Sequence, residues 1–343
     1  MRIAIVFDTP WAGWVPAQHW AQMEKEIAAW DVNEPDMEYQ IADALRQRGH
    51  DVHLLGIHDD IQALATGLAD LKPDLVFNGA ESFHGNAGLD YLYASLIEAE
   101  GYNYTGSPPL ALLVTRNKAM SKKILAYHGI QVPAFATWRP GERITLAADL
   151  RFPLIVKPLQ TDASAGIAQA SVVNDRRALK DRVAFVHGNF GQPAIAEEFI
   201  DGRELYVSIV GNGDNLEILP ITEMVFDHRK TRMEERIATQ SAKWDESYRG
   251  RKGIRNVFAR PISRAGRARI KEICRTAYRA LWLRDYARID LRLTPDGEVW
   301  VIEANANPFV SWGHDVANAA QKAGMEYPAF INRIIEEAAA RHE

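Results

Sequence analysis

The feature that most constrains the fold is an Asp-Gly pair, Asp296-Gly297, which joins two runs of alternating apolar and polar residues. The runs cover residues 287–293 and 298–305. An Asp-Gly pair in this setting predicts a β-hairpin with a two-residue turn, and that turn fixes which residues face each other. The polar face then pairs Asp290 with Glu303 and Arg288 with Asn305. The apolar face pairs Ile289, Leu291 and Leu293 with Ala304, Ile302 and Trp300.

The polar face of this hairpin brings two carboxylates together. Like charges directly opposite each other destabilise a sheet, so Asp290 and Glu303 require something that offsets their repulsion. A hard divalent cation binds carboxylate and amide oxygens, and Asn305 supplies an amide one step further along. The hairpin alone leaves two interpretations open, a metal site and a pair of carboxylates that simply point into water.

A second candidate site surrounds Lys157, which lies near the end of an apolar strand predicted at residues 152–158. A lysine in such a strand is costly to bury unless its ammonium group meets an anion. The loop that follows, residues 161–167, is rich in small side chains and contains Ser164. Its backbone N–H groups can therefore approach phosphate oxygens. The alternative is an ordinary surface lysine after a strand.

A third candidate site is the segment 197–204, where two predicted strands meet at Asp201-Gly202 with acidic residues on both sides. Peptide groups in such a turn can bind adenine, while a carboxylate accepts a hydrogen bond from a ribose hydroxyl. An ordinary charged hairpin tip is the alternative interpretation.

The first hundred residues alternate between strand and helix patterns, which predicts a parallel sheet with packed helices. The predicted strands are 3–7, 51–55 and 74–77, and the predicted helices are 37–48 and 89–99. Ligands of such sheets bind at the carboxyl ends of the strands, here near Asp8 and residues 78–86.

At 343 residues the chain is long enough for two or three domains. Turn-forming residues at 104–109 predict a linker, and we expect domains at 1–108, 109–205 and 206–343. Helices are expected at 117–127, 175–186 and 263–281, and near the C-terminus from 315 and 327. The charged segment 226–252 lacks clear periodicity and is expected to be a long loop that acts as a lid.

Together, in this order and spacing, these segments resemble the ATP-grasp superfamily and, within it, the D-alanine–D-alanine ligase family. The resemblance covers nearly the whole chain, and its last two motifs are highly specific in combination. The motifs are Tyr104-Thr105-Gly106-Ser107, Asn117-Lys118, Val156-Lys157-Pro158, residues 197–204, Arg288-Ile289-Asp290, and residues 303–308 with the sequence Glu-Ala-Asn-Ala-Asn-Pro.

The resemblance implies a three-domain α/β (α+β) fold, with an N-terminal parallel-sheet domain and two α+β domains that clasp ATP. It also implies a homodimer and a reaction in which an acyl-phosphate is captured by an amine. The implied ligands of two magnesium ions, which manganese can replace, are Asp290, Glu303 and Asn305. The implied ATP contacts are Lys118, Lys157, Ser164, Glu197, Ile200 and Glu204. The implied catalytic residues are Arg288, which stabilises the oxyanion, and Lys243, which closes over the γ-phosphate.

The departures from the family pattern lie at substrate-binding positions. Residues 9–14 replace a glycine-rich stretch with its amine-binding glutamate, and Ala163 replaces a serine that orients the first amino acid. Phe309 replaces a glycine whose N–H helps to form the oxyanion site. We therefore expect a ligase for substrates other than two D-alanines, with His84, Phe309 and His314 as candidate substrate contacts. Loop and helix-cap roles are the alternatives for the two histidines.

Composition excludes several function classes. The formal net charge of −5 argues against a nucleic-acid binder, which usually carries a basic excess. No apolar stretch is long enough to span a membrane and no secretory signal is present, so a cytoplasmic protein with small-molecule substrates is expected. The functions left open are a true D-alanine–D-alanine ligase, a carboxylase acting on bicarbonate, a kinase that stops at the acyl-phosphate, and a nucleotide-binding relic without catalysis.

Overall fold

The N-terminal part of the chain forms a parallel sheet in the order β2-β1-β3. This computed structural model describes residues 1–9, 36–146, 150–161 and 166–341. Ile3 pairs with Val52 on one side and with Leu75 on the other, both in parallel register. The predicted parallel sheet is therefore confirmed. Its elements are β1 (Arg2–Asp8), α1 (Met37–Gln47), β2 (Asp51–Ile57), α2 (Ile61–Leu71), β3 (Leu75–Asn78) and α3 (Tyr91–Ala99).

Helix α2 was not predicted from the sequence. Gly67 in its interior weakens a helical pattern, because glycine lowers helix propensity by roughly 1 kcal/mol relative to alanine. Here a Cβ atom at this position would lie 2.7 Å from Leu55 Cδ1, so a larger residue would have to displace the Leu55 side chain. The helix begins at an Asp60 cap, whose carboxylate accepts a hydrogen bond from Gln62 N–H.

Two helices, α4 (Pro109–Arg116) and α5 (Lys118–Tyr127), follow the predicted linker. The second of these confirms the helix predicted at 117–127, and its Asn117 cap accepts a hydrogen bond from Met120 N–H. An antiparallel sheet in the order β4-β7-β5-β6 comes next. Its elements are β4 (Phe135–Trp138), β5 (Leu154–Pro158), β6 (Val172–Val173), α6 (Arg176–Phe190) and β7 (Ala194–Glu198).

The two faces of this second sheet differ in character. Apolar residues that alternate along its strands, including Leu154, Val156 and Ala196, share a buried core with residues of α6. Successive side chains in a strand point to opposite faces, so Lys157 and Glu197 project away from that helix. Ile155 lies opposite Glu197 in the register, which makes Lys157 and Glu197 diagonal neighbours on one face. The alternation thus places a lysine and a glutamate together.

The third sheet has the order β11-β10-β8-β12-β13, with β9 paired to β8. Its strands are β8 (Arg203–Val210), β9 (Glu217–Ile218), β10 (Thr222–Val225), β11 (Arg255–Phe258), β12 (Tyr286–Leu293) and β13 (Val299–Asn305). Its helices are α7 (Gln240–Trp244), α8 (Glu246–Lys252), α9 (Arg264–Ala280), α10 (Asp315–Lys322) and α11 (Tyr327–Ala340). Among the described residues, no helix is both long and apolar enough to cross a membrane.

The expectation that segment 226–252 is one long loop was wrong, because α7 and α8 lie within it. Both are shorter than two and a half turns, so neither produces a readable apolar period. Each begins at a side-chain cap, where Thr239 accepts a hydrogen bond from Ala242 N–H and Asp245 accepts one from Tyr248 N–H.

The predicted hairpin is present, and its register is correct at the polar end. Arg288 pairs with Asn305 and Asp290 with Glu303. Towards the turn the prediction was wrong, because Leu291 faces Val301 and Leu293 faces Val299. The loop has three residues rather than two, with Gly297 at φ +93°, and a bulge between Asp290 and Leu291 restores the register.

Glu223 on β10 is a buried acid whose removal is expected to destabilise the fold. Its carboxylate accepts hydrogen bonds from Arg203 and Arg260, with Nη2 of Arg203 at 2.7 Å. Burial opposes ionisation, but these hydrogen bonds outweigh it and lower the pKa of Glu223 below its ordinary value of 4.5. Arg203 and Arg260 reach solvent, so removing Glu223 leaves no fully buried charge, and hydrogen bonds to charged groups contribute roughly 1.5–3 kcal/mol. Glu223→Gln should therefore lower the free energy of unfolding by about this amount at pH 7.

The same pKa shift predicts a pH dependence. A carboxylate with a lowered folded-state pKa stabilises the protein above pH 4.5, and this contribution is lost as the pH falls through the folded-state pKa. The stability difference between wild type and Glu223→Gln, measured by urea unfolding, should therefore shrink on acidification. Glu217→Gln, at an exposed position on β9, is the control. A difference that stays constant from pH 7 to pH 3 would contradict the assignment.

Candidate active site

The polar face of the β12–β13 hairpin carries three of the predicted ligands. Asp290 and Glu303 lie opposite each other, and Asn305 pairs with Arg288. The Arg288 guanidinium donates to both oxygens of Asp290, from Nε at 2.7 Å and from Nη2 at 3.0 Å. Burial and the charge of Glu303 raise the pKa of Asp290, and the Arg288 guanidinium opposes that rise. The two carboxylates therefore share one site rather than pointing into water.

Positive charge surrounds Glu303. Lys118, at the start of α5, is buried and places Nζ 3.7 Å from Glu303 Oε2. The same ammonium donates to the Thr161 carbonyl at 2.8 Å. Burial alone would raise the pKa of Glu303, but the charges of Lys118, Lys157 and Lys243 lower it to about 2. The surrounding lysines therefore keep Glu303 ionised, and their ammonium groups can also face phosphate oxygens.

A buried ion cluster lies beside this site. The Glu197 carboxylate lies between Lys157, at 3.1 Å from Oε2, and Lys122, at 3.4 Å from Oε1. All three side chains are almost fully buried. Lys122 also donates to the Ile302 carbonyl on the β12–β13 hairpin. The Glu197 side chain therefore holds two lysines in place, and its expected contact with adenine stays a prediction.

Lys122 is a site residue that the sequence analysis missed. Burial lowers its pKa to about 8, although the neighbouring Glu197 carboxylate favours the charged form. Lys118 and Lys122 are separated by four residues on one helix, so they lie on the same face. That spacing is the signal that could have found it, because a lysine already assigned to the site had a second lysine one turn away.

The predicted nucleoside contacts lie on the loop between β7 and β8. Ile200 is half-buried there. The Glu204 carboxylate accepts a hydrogen bond from Arg292 Nη2 at 2.5 Å and one from the Tyr206 hydroxyl at 3.1 Å. Arg292, on the neighbouring strand β12, also donates to the Gly202 carbonyl. Glu204 is thus fixed in orientation by residues that the sequence analysis did not assign.

A cavity of about 1070 Å³ opens beside the hairpin. Its walls include Arg288, Glu303 and Asn305 together with Lys243 of α7. The Arg249 guanidinium ties α8 to α7, because it donates to the Ala242 carbonyl at 2.5 Å. Lys243 therefore lies on a short helix that lines the cavity and is tied to its neighbour.

Two of the three predicted substrate contacts line this cavity, namely Phe309 and His314. His314 occupies the cap position before α10, but its side chain makes no cap hydrogen bond. His84 is not among the described residues that line the cavity; it lies in a turn with φ +54° and stacks on His58 at 6.3 Å. Ser164 and Ala163 fall outside the described residues, as do residues 10–14.

The predicted magnesium ligands fit a hard divalent cation by their chemistry, since they offer two carboxylates and one amide. The carboxylates of Asp290 and Glu303 occupy facing positions, and Asn305 lies two residues beyond Glu303 on the same face of β13. No group of three or more His, Cys, Asp or Glu side chains suited to a metal occurs among the described residues. The predicted set contains only two such side chains, and its third ligand is the amide.

Comparison with known proteins identifies this architecture. The family model described as "D-ala D-ala ligase C-terminus" matches residues 124–336, which is well over half of the chain. The chain belongs to the D-alanine–D-alanine ligase family. It is therefore an ATP-grasp ligase, an enzyme class that forms carbon–nitrogen bonds, and the family resemblance predicted from the sequence is confirmed.

Two similar proteins differ in what their names state. The D-alanine–D-alanine ligase of Cupriavidus necator is 31% identical over 85% of this chain and 83% of that protein. The uncharacterized protein y4sG of Sinorhizobium fredii is 30% identical over all of this chain and 98% of that protein. The chain is thus similar along its whole length to a protein whose name states no substrate.

Solved structures confirm the fold. The D-alanine–D-alanine ligase of Bacillus anthracis in complex with ATP has a TM-score of 0.73 at 21% identity, with both chains fully covered. The VanG D-Ala:D-Ser ligase of Enterococcus faecalis has a TM-score of 0.67 at 19% identity, covering 98% of this chain and 99% of that one. The predicted arrangement of a parallel-sheet region followed by two α+β regions is the ATP-grasp fold.

Proposed function

We propose that this protein joins a carboxylate to an amine through an acyl-phosphate, at the expense of ATP, and that its substrates are not two D-alanines. The observation that carries the proposal is the convergence of unlike charges beside the cavity. Two acids of the hairpin, Asp290 and Glu303, lie next to Arg288 and Lys118, and Arg288 and Glu303 line the cavity itself. Phosphoryl transfer depends mainly on positioning and charge stabilisation, which such a site supplies.

The reaction has two steps. A carboxylate oxygen attacks the γ-phosphorus of ATP, the bond to ADP breaks, and an acyl-phosphate forms. The amine then attacks the acyl carbon, and phosphate leaves with the oxygen that came from the carboxylate. In this proposal Lys118 and Lys157 face the phosphates, Arg288 faces the oxyanion of the tetrahedral intermediate, and Lys243 excludes water as the lid closes.

Two magnesium ions are part of the proposed site. Two ions held by Asp290, Glu303 and Asn305 would offset the charge of the phosphates, as hard divalent cations do in other phosphoryl transfers. Manganese accepts the same oxygen ligands and is expected to substitute. The protein's own contribution is to hold the carboxylates in facing positions and to keep Glu303 ionised with the surrounding lysines.

Two observations support substrates other than D-alanine. Phe309 lines the cavity at a position where the family pattern has glycine. Its ring occupies space that a glycine would leave open, and it keeps a substrate from approaching the backbone there as closely as it could at glycine. In addition, a relative that is similar over the full length of this chain is uncharacterized. The sequence also has Ala163 where the family pattern has a serine that orients the first amino acid, and this replacement likewise favours a different substrate.

The test is ADP release with magnesium and ATP across amino acids and small acids, offered singly and in pairs, with products weighed by mass spectrometry. We expect one pair to release ADP and to give the condensed mass, and D-alanine with D-alanine to be at least tenfold slower than that pair. ADP release that needs no amine would indicate a kinase instead. ATP binding without ADP release from any pair would indicate a relic without catalysis.

A further inference from the structure

Three aromatic rings lie together in the wall of the cavity. They belong to Trp244 of α7, Phe309 and His314, which all line it. The Phe309 ring meets the His314 ring edge-on with centroids 4.8 Å apart, and Trp244 lies 6.2 Å from the same His314 ring. Trp244 is 58% exposed and Phe309 is 37% exposed. Large apolar side chains clustered in a cavity wall in this way usually mark a contact surface for a ligand.

The cavity continues into a groove between β11 and α10. This second cavity, of about 560 Å³, shares Asn256 and Asp315 among its lining residues with the first. The half-exposed Phe258 ring also lines the groove, and the Lys322 ammonium lies 5.3 Å from the centre of that ring. Ligand cavities commonly measure roughly 300–1,000 Å³, so the continuous space leaves room for a substrate larger than alanine beside the nucleotide.

We propose that the amine substrate is an aromatic amino acid. This inference rests on the proposed function. The hairpin carboxylates, Arg288 and the surrounding lysines suit the phosphorylated carboxylate, so the aromatic rings and the acids next to them are assigned to the amine. Carboxylates of Glu246 and Asp315 line the same cavity and attract an ammonium group, and the rings of Trp244 and Phe309 pack on the substrate ring.

Amino acid amides test this inference, because they lack a free carboxylate and can act only as the amine. Phenylalaninamide and alaninamide are compared, each as both enantiomers, with the carboxylate partner that the panel identifies. For the preferred enantiomer we expect kcat/KM to be at least tenfold higher with phenylalaninamide. Phe309→Gly should reduce this preference to about twofold or less while the KM for ATP stays within about twofold of wild type. Trp282→Ala, at an exposed tryptophan that is not among the lining residues, should leave the preference unchanged.

Equal or better use of alaninamide would overturn the inference and leave the ligase function standing. If no pair condenses, the proposed function fails, and calorimetric titration of the same amides in the presence of magnesium and ADP still decides the inference. Phenylalaninamide binding at least tenfold tighter than alaninamide, and weakened by Phe309→Gly, would support an aromatic site. Equal affinity for the two amides, or no binding of either, would overturn it.

Discussion

Asp290→Asn is expected to lower ADP release by about 10²–10³-fold, the loss typical when one group that stabilises transition-state charge is removed. The substitution keeps the side-chain shape and a hydrogen-bond acceptor for Arg288, which donates to both oxygens of the carboxylate. It removes the negative charge that faces Glu303 and that a divalent cation would need. The change also removes the charge paired with the Arg288 guanidinium, so some loss of stability is expected, and thermal unfolding checks that the folded state is retained.

The measurement for Asp290→Asn is steady-state ADP release, together with circular dichroism and thermal unfolding of the same preparation. Asp296→Asn is the matched control, since it makes the same chemical change at an exposed position in the turn of the same hairpin. That control should retain activity within about twofold of wild type. Undiminished ADP release by the folded Asp290→Asn variant would contradict the assignment of Asp290 as a metal ligand.

Glu197→Gln is expected to be the most destabilising single substitution near the site. It leaves the buried ammonium groups of Lys122 and Lys157 without the carboxylate that now lies within 3.4 Å of each. Breaking a buried ion pair by removing one partner costs about 3–5 kcal/mol. The free energy of unfolding should fall by this amount at pH 7, and ATP affinity should fall as well, because Lys157 loses the group that positions it.

Urea unfolding and a nucleotide titration measure the two effects of Glu197→Gln. The matched control is Glu198→Gln, one residue further along β7. Its carboxylate is only half-buried and accepts a hydrogen bond from the Arg151 backbone, so the cost should stay below about 1 kcal/mol. Equal stability of the two variants would show that the buried cluster is not held together by Glu197.

The polar half of the hairpin could be predicted because its register follows from period-2 alternation and a strong turn signal. The prediction paired Asp290 with Glu303 correctly, although it assumed a two-residue loop and no bulge. The actual loop is one residue longer, and the bulge after Asp290 compensates for it. Loop length and bulges depend on the twist of the sheet, which the local sequence does not specify.

Other parts of the site depend on contacts between distant segments. Lys122 approaches Glu197 only because α5 packs beside the second sheet, and Arg292 meets Glu204 only because β12 lies next to β8. Each of these pairs joins side chains that are 75 or more residues apart in the sequence. Tertiary packing brings them together, and the sequence alone shows that the lysine or arginine is present but not which acid it meets. The two lid helices escaped prediction for a different reason, since they are too short for periodicity.

Some predictions rest on the sequence and the resemblance alone. The domain limits at 108 and 205, the homodimer, the cytoplasmic location and the role of Ser164 stay predictions. So do the individual roles of the site residues, whose positions are described but whose contacts with substrates are proposed.

The central claim is that an acyl-phosphate links ATP cleavage to amide formation, and oxygen transfer tests it most directly. The carboxylate substrate found by the panel is labelled with ¹⁸O in both carboxylate oxygens, and the phosphate released during condensation is analysed by mass spectrometry. The account predicts one ¹⁸O atom in each phosphate, because the carboxylate oxygen that attacks the γ-phosphorus leaves with it. Unlabelled phosphate, formed together with the condensed product, would contradict the acyl-phosphate route.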